Sequence, residues 1–275
     1  MLYFIAQFHV MMKHFLFLAA GCLLSVFTTS AQRQPVVTLD YHYNYEHKKD
    51  KAGNTIRWHY IWDEDDSGGL SVWGHIFDSL GIRRDTLHDA PTAANLRHSD
   101  IYMIIDPDTD KESPNPHYMT PAAAKVIYNW VKAGGVLVLL QNDSLNAEFD
   151  HFNLLSERFG IRFNGDSRNR VQGRNWEQGA FVLPQDHEIF PGVGKVYIKE
   201  LSTLTLKAPA RAVFTDNGHN IMAVAKVGKG TVFAVGDPWF YNEYVDGKRL
   251  PADYRNYTAA AALTAWLKKQ LPAKR

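Results

Sequence analysis

The amino-acid sequence predicts an open α/β sheet, mostly parallel with helices on both faces, continued by an antiparallel C-terminal extension. Three observations carry this. Between Val36 and Gly160, hydrophobic runs alternate with helical stretches and short loops, the pattern of a parallel, doubly wound sheet. Two of the runs, Ile101–Ile105 and Val136–Leu140, are apolar without a break, as strands covered on both faces are. After Gly160 come short strand-like pieces, two of them joined across Gly228-Lys229, the punctuation of a hairpin.

The elements follow in order. Residues 1–31 read as a secretory signal, with Met11 or Met12 as an alternative start. Lys13 and His14 form a polar head, Phe15 to Phe27 an apolar stretch, and Thr29-Ser30-Ala31 a small-residue cleavage site before Gln32. The apolar stretch falls roughly seven residues short of the about 20 needed to span a bilayer. Export to the periplasm or beyond is therefore expected, with no transmembrane segment in the mature chain. Cys22 is the only cysteine. It sits in the apolar stretch in a weak lipoprotein-like setting: Ala19 stands where that box has Leu, and the run continues through Leu23 and Leu24. Cleavage after Ala31 fits better and leaves a mature chain without any thiol.

Residues 32–275 are expected to form a single domain. Val36 to Tyr41 is the first strand, and Thr55 to Trp62 a short strand or ordered loop. Leu70, Trp73, Ile76, Phe77 and Leu80 recur at helical spacing, closed by Gly81. Ile82 to Leu87 is a strand with an exposed face, Pro91 to Leu96 a helical turn, and Ile101 to Ile105 a central strand. Thr120-Pro121 starts a helix that ends at Gly134-Gly135, with Thr as N-cap and Pro at the first position. Val136 to Leu140 is the next strand. Asn146 is expected to start a helix carrying Phe149, Phe152, Leu155 and Phe159 to Gly160. Strand pieces then fall at Val196–Ile198, Leu201–Leu206, Ala212–Thr215, Ile221–Val227 and Thr231–Val235, before a last helix from Tyr257 to Leu271.

Four runs stop abruptly in acids and amides. Val36–Leu39 ends in Asp40, with Asn44 and His47 after it. Ile101–Ile105 ends in Asp106-Pro107-Asp108, Val136–Leu140 in Gln141-Asn142-Asp143, and Thr231–Val235 in Gly236-Asp237-Pro238-Trp239. Ligands of open α/β folds sit outside the carboxyl ends of the strands, so these clusters should share one rim.

Several blocks together resemble a domain of unknown function from Bacteroidota with a glutamine-amidotransferase-like, flavodoxin-type α/β fold. They are Val36–Tyr41 with Asn44 and Glu46–Lys49, Asp106-Pro107-Asp108, Tyr128–Val131 with Gly134-Gly135, Asn146-Ala147-Glu148, Asp166–Val171, and Val224–Tyr244. That domain occurs alone or C-terminal to unsaturated rhamnogalacturonyl hydrolases of glycoside hydrolase family 105. The resemblance spans nearly the whole mature chain. It implies a pectin-degradation setting and a family 105 hydrolase as a partner, but not the hydrolase activity, which belongs to a separate helical barrel. Class I amidotransferases carry a Cys nucleophile on a strand-to-helix turn. The matching place after Leu140 holds Gln141-Asn142-Asp143, so glutamine hydrolysis by that route is excluded.

The residues themselves offer several chemistries. Asp106, Asp108, Glu148 and Glu243 are candidates for a carboxylate pair, which at about 5–9 Å separation serves glycoside hydrolysis; Asp before Pro also caps turns. Asp40, Asn44, His47, Asn142, Asp143, Arg168, Arg170, Asp237, Trp239 and Asn242 are candidate ligand-binding residues. The loop from Asn164 to Gln178 carries Arg168, Arg170, Arg174 and Trp176. Guanidinium groups suit bidentate capture of a uronic-acid carboxylate, and aromatics suit sugar stacking, though core packing is the commoner use of both ring and loop. Asp40, His42, His47, Asp106 and Asp108 could ligate a metal, but neither HExxH nor a calcium loop occurs, so no metal and no cofactor is expected. No G-x-S-x-G, phosphate loop or G-x-G-x-x-G opens a helix. A net charge of +1 gives no electrostatic footprint for nucleic acid. The expected function is binding, with or without processing, of a pectin-derived acidic oligosaccharide. The alternatives are a glycoside hydrolase on the same ligands and a non-catalytic domain docked on a family 105 enzyme.

Overall fold

The computed structural model describes residues 33–272; the expected signal segment and Cys22 lie outside the described residues. The elements are β1 (Val36–Asp40), β2 (His47–Lys49), β3 (Thr55–Arg57), α1 (Ser71–Ser79), β4 (Arg83–Leu87), α2 (Ala93–Leu96), β5 (Ile101–Ile105), α3 (Pro121–Ala133), β6 (Val136–Leu140), α4 (Asn153–Ser156), β7 (Ile161–Phe163), β8 (Ala180–Val182), β9 (Lys195–Tyr197), β10 (Leu204–Leu206), β11 (Ala210–Asp216), β12 (His219–Val227), β13 (Gly230–Val235), α5 (Asn242–Val245) and α6 (Asn256–Gln270).

A nine-stranded sheet runs β4-β1-β5-β6-β13-β12-β10-β7, with β11 also on β12. Its first five strands are parallel, and the rest pair antiparallel. The α/β architecture and the antiparallel C-terminal extension are thus as the sequence predicts. β1, β5 and β6 are buried at every position because alternate side chains feed two different cores. Val37, Leu39, Met103, Ile105, Val138 and Leu140 face one core, with Trp73 and Phe77 of α1 and Leu263 and Leu267 of α6. Tyr102, Ile104, Leu137 and Leu139 face the other, with Ile127 and Val131 of α3, Leu155 of α4 and Phe152 just before α4. Full burial of each such side chain contributes about 1.5–3 kcal/mol, so interior strands have no room for polar alternation. Helices on both faces follow from this.

Local signals explain the edges of elements. Thr120 caps α3 by accepting from Ala123 N at 3.1 Å, and Gly134 ends it at φ 130°, a conformation costly to residues with a Cβ. In the β12–β13 hairpin Val227 pairs with Gly230, so Gly228-Lys229 is the turn, as expected.

Two expectations need correction. The helix expected from Asn146 begins only at Asn153 and lasts four residues before a 3-10 turn at Glu157–Phe159. Asp143 takes Leu145 N (3.1 Å) and Asn146 Nδ2 (2.7 Å) into a local turn, and Glu148 caps His151 N and Phe152 N. Such side-chain bonds compete with helix continuation. The apolar spacing was legible, the start was not. The strand expected over Leu201–Leu206, in turn, begins only at Leu204, whereas the one expected at Val196 is present as β9, paired with β8 in a separate ribbon.

Candidate functional site: a buried acidic rim beside an open cleft

The parallel register builds the rim. Asp106 N donates to Leu140 O at 2.8 Å and Gln141 N to Val235 O at 3.0 Å, so the chain leaves β5, β6 and β13 side by side. Asp40 ends the neighbouring β1. Asp40, Asp106, Asn142 and Asp237 therefore share one edge, as the sequence predicts. All are nearly sealed from solvent, at 2, 2, 9 and 2% exposure.

Most of the acids singled out from the sequence are committed to backbone. Asp40 accepts from Tyr43 N (2.6 Å), from His42 N (3.1 Å) and from the Tyr102 hydroxyl; burial pushes its carboxyl up to about 6 despite these bonds. Asp108 accepts from Tyr45 N (2.8 Å) and the Ser113 hydroxyl, and burial holds it at about 6. Asp143 holds the Leu145 turn and Ser167 Oγ at 2.5 Å. Glu148 caps the turn into α4. Asp237 accepts from Lys199 N at 3.1 Å, and burial, only partly offset by Lys199, lifts it to about 8. Asp40, Asp143 and Glu148 cap local turns, while Asp108 and Asp237 pin segments distant in sequence, and these uses set Asp108 and Glu148 apart from a free carboxylate pair.

The other expected binding residues divide similarly. Asn44 is buried, its Nδ2 on Asp106 O at 3.2 Å. His47 is exposed on β2 and bonds Tyr45 O at 2.7 Å. Arg168 pairs with Asp216; Arg170 is exposed. Two need correction. Trp239 is fully buried, with ring centroids 3.9 Å from Phe240 and 5.7 Å from Phe190, so it has no face for a sugar. Asn242 is a buried staple: its Nδ2 donates to Glu64 O (2.7 Å), Asp66 O (3.0 Å) and Ser71 Oγ (3.1 Å), and its Oδ1 accepts from Val72 N (3.1 Å).

The open space lies beside the rim. A cleft of about 590 Å³ is lined by Asp65, Asp66, Ser67, Arg174, Trp176, Asn242, Glu243, Asp246, Lys248 and Arg249. Glu243 is the one candidate acid of the expected pair that reaches it. It accepts from Gly68 N at 2.5 Å and lies 3.5 Å from Arg249 Nη1; Arg249 in turn donates to Ser67 Oγ at 2.9 Å. Trp176 is half-buried, its ring edge-on to Tyr197 at 5.4 Å. Arg174 and Trp176 come from the loop that the sequence marked for uronate capture. Lys248 and Arg249 were not foreseen.

Sequence reasoning named Asp106 as a possible metal ligand but missed the two residues that meet it, Glu46 and His59. His59 Nδ1 lies 2.7 Å from Glu46 Oε1, and one donor atom each from Glu46, His59 and Asp106 fall within 4.8 Å of one another. The β2–β3 ribbon explains this: His47 pairs with Arg57, and Trp58 N donates to Glu46 O at 3.1 Å, so residues 46 and 58–59 meet. A hairpin register drawn around the Asp50–Asn54 turn would have found the pair. Tyr60 lies in the same interior. Burial raises its phenol well above the ordinary value, and Asp106, Asp237, Glu46 and Glu243 push it further.

No helix among the described residues is long and apolar enough to cross a membrane. No family model and no curated protein matches the chain. Solved structures with a similar fold include the mmIFT52 N-terminal domain, with TM-score 0.61 and 18% identity over 85% of this chain and 97% of that one. Cytoplasmic Protein STM1381 from Salmonella typhimurium LT2 is similar at TM-score 0.55 and 14% identity, covering 86% of this chain and 100% of that one. Part of a β-galactosidase from Rahnella sp. R3 is similar at TM-score 0.53 and 17% identity, covering 87% of this chain and 32% of that one. At such identities the likeness is one of fold alone.

Proposed function

We propose that this chain is an exported binder of short acidic oligosaccharides of the pectin type, held in the cleft beside the sheet's carboxyl edge. One observation carries the reading: Arg174, Lys248 and Arg249 share with the half-buried Trp176 the lining of a single cleft of about 590 Å³, where Arg174 has no acid partner among the described residues while Lys248 and Arg249 pair with Asp246 and Glu243. That volume falls in the roughly 300–1,000 Å³ range of small-molecule sites. A galacturonide presents a carboxylate on each ring and an apolar ring face. Guanidinium groups take the first in paired hydrogen bonds, and an indole takes the second. The Asn242 staple and the Gly68–Glu243 bond keep the wall rigid, which lowers the entropy cost of binding.

Binding without hydrolysis is the reading the geometry favours, since Asp108 and Glu148 are spent on backbone amides and Asp106 is sealed. The parallel half, in the order β4-β1-β5-β6-β13, supports the amidotransferase-like, flavodoxin-type assignment. No cysteine occurs among residues 33–272, so the chain would use that scaffold without its thiol chemistry. Calorimetric titration with tri- and tetragalacturonides, alongside neutral oligosaccharides of equal length, tests the proposal. Saturable binding of the acidic set alone, with products unchanged, is expected. Equal affinity for the neutral set, or no heat with either, removes it.

A further inference from the structure

We propose that Glu46, His59 and Asp106 form a binding site for one divalent cation of the zinc or manganese type. A single imidazole with two carboxylates is a donor set such ions accept. The three donor atoms already lie within 4.8 Å of one another. Bonds of about 2.0–2.2 Å to a common ion would require them to close by roughly 1 Å, within the reach of side-chain adjustment.

A second, independent observation points to a cation. Asp106 is 2% exposed, and its Oδ1 has no hydrogen-bond partner among the described residues. Beside it, Asn44 donates through Nδ2 to Asp106 O while its own Oδ1 is buried and unpartnered. A buried acceptor with no donor is costly, and an uncompensated buried carboxylate more so. The charged groups that act most strongly on Asp106 are Glu112, Glu46 and Asp108, all acidic. Arg57, the half-buried cation nearby, is turned to Asn44 O and acts on Asp108 and Asp40; a bound cation would bring positive charge to Asp106 itself and a partner for its orphaned oxygen.

The backbone is built for the site. Asp106 and His59 both hold left-handed conformations, at φ 46° and 66°. Neither is glycine, and strain of this kind gathers where a side chain must be aimed. Glu46 Oε1 and His59 Nδ1 already lie 2.7 Å apart, close to the separation of two atoms that ligate one ion at about 2.0–2.2 Å each. A Cβ added at Gly68 would stand 2.5 Å from Cδ2 of the His59 ring, so glycine there leaves the ring its place. These residues do not line the oligosaccharide cleft, and the inference stands apart from the ligand proposed above.

The test is calorimetric titration of the chelator-treated full chain with zinc chloride and, separately, manganese chloride, in the absence of sugar. One ion per chain is expected with at least one of the two. Asp106→Asn and His59→Gln should each weaken it by about tenfold or more, while Asp253→Asn, at an exposed acid, leaves it unchanged. Thermal melts without metal check that both variants fold; if Asp106→Asn does not, the half-buried His59→Gln carries the comparison. Absence of stoichiometric binding by both ions, or binding that survives His59→Gln undiminished, overturns the proposal.

Discussion

Asp237 gives the sharpest physical prediction. Its carboxyl is 2% exposed, and burial raises its pKa from 3.8 to about 8. The folded state therefore keeps a proton that the unfolded chain releases near pH 4. Where the folded state binds more protons, stability falls as pH rises. This loss starts above the unfolded value and continues until the folded carboxyl ionises near pH 8, at about 1.4 kcal/mol per pH unit. Between pH 6 and pH 8 the group should cost about 2 kcal/mol. Asn at this position keeps an acceptor for Lys199 N, which now donates at 3.1 Å, but cannot ionise. The expected result is that Asp237→Asn gains about 2 kcal/mol relative to the parent between those two pH values. Urea unfolding of both proteins across the interval measures the difference, in which every other titrating group cancels. Parallel stability profiles would show that Asp237 is ionised or hydrated in the fold, and would refute the argument.

Two further outcomes are expected. Trp239→Ala should cost about 3–5 kcal/mol in urea unfolding, the price of a large aromatic cavity; oligosaccharide affinity lost at unchanged stability would instead return Trp239 to the ligand. Asn242→Ala deletes a staple of four hydrogen bonds and should destabilise by about 2–4 kcal/mol, seen as a lower urea midpoint; a change within experimental error would mean the loop at 64–72 is held otherwise.

The parts legible in the sequence are those where one local cause decides the structure. Val136–Leu140 reads as an interior strand because nothing polar interrupts it, and Thr120-Pro121 reads as a helix start because Thr120 accepts from one orphaned amide and Pro121 has no amide to satisfy. Parallel threading then makes the shared rim of Asp40, Asp106, Asn142 and Asp237 foreseeable. What each rim residue does was not, because turn capping and ligand binding draw on the same acids and amides. Trp239 and Asn242 follow a strand end as ligand residues do, yet long-range contacts to Phe190 and to the Glu64–Ser71 segment claim them. Arg174 and Trp176 were found by composition. Lys248 and Arg249 join them only because the loop after α5 folds back onto Ser67, and Glu46 meets His59 only through a ribbon register.

Trp176 offers the most direct check on the cleft. The chain has seven tryptophans, and only this one lines the cleft. Titration with tetragalacturonide should change the intrinsic fluorescence of the parent protein, and that change should vanish in Trp176→Phe. A parent spectrum that never moves, or a variant that responds just as the parent does, would mean that no sugar comes to rest against this indole.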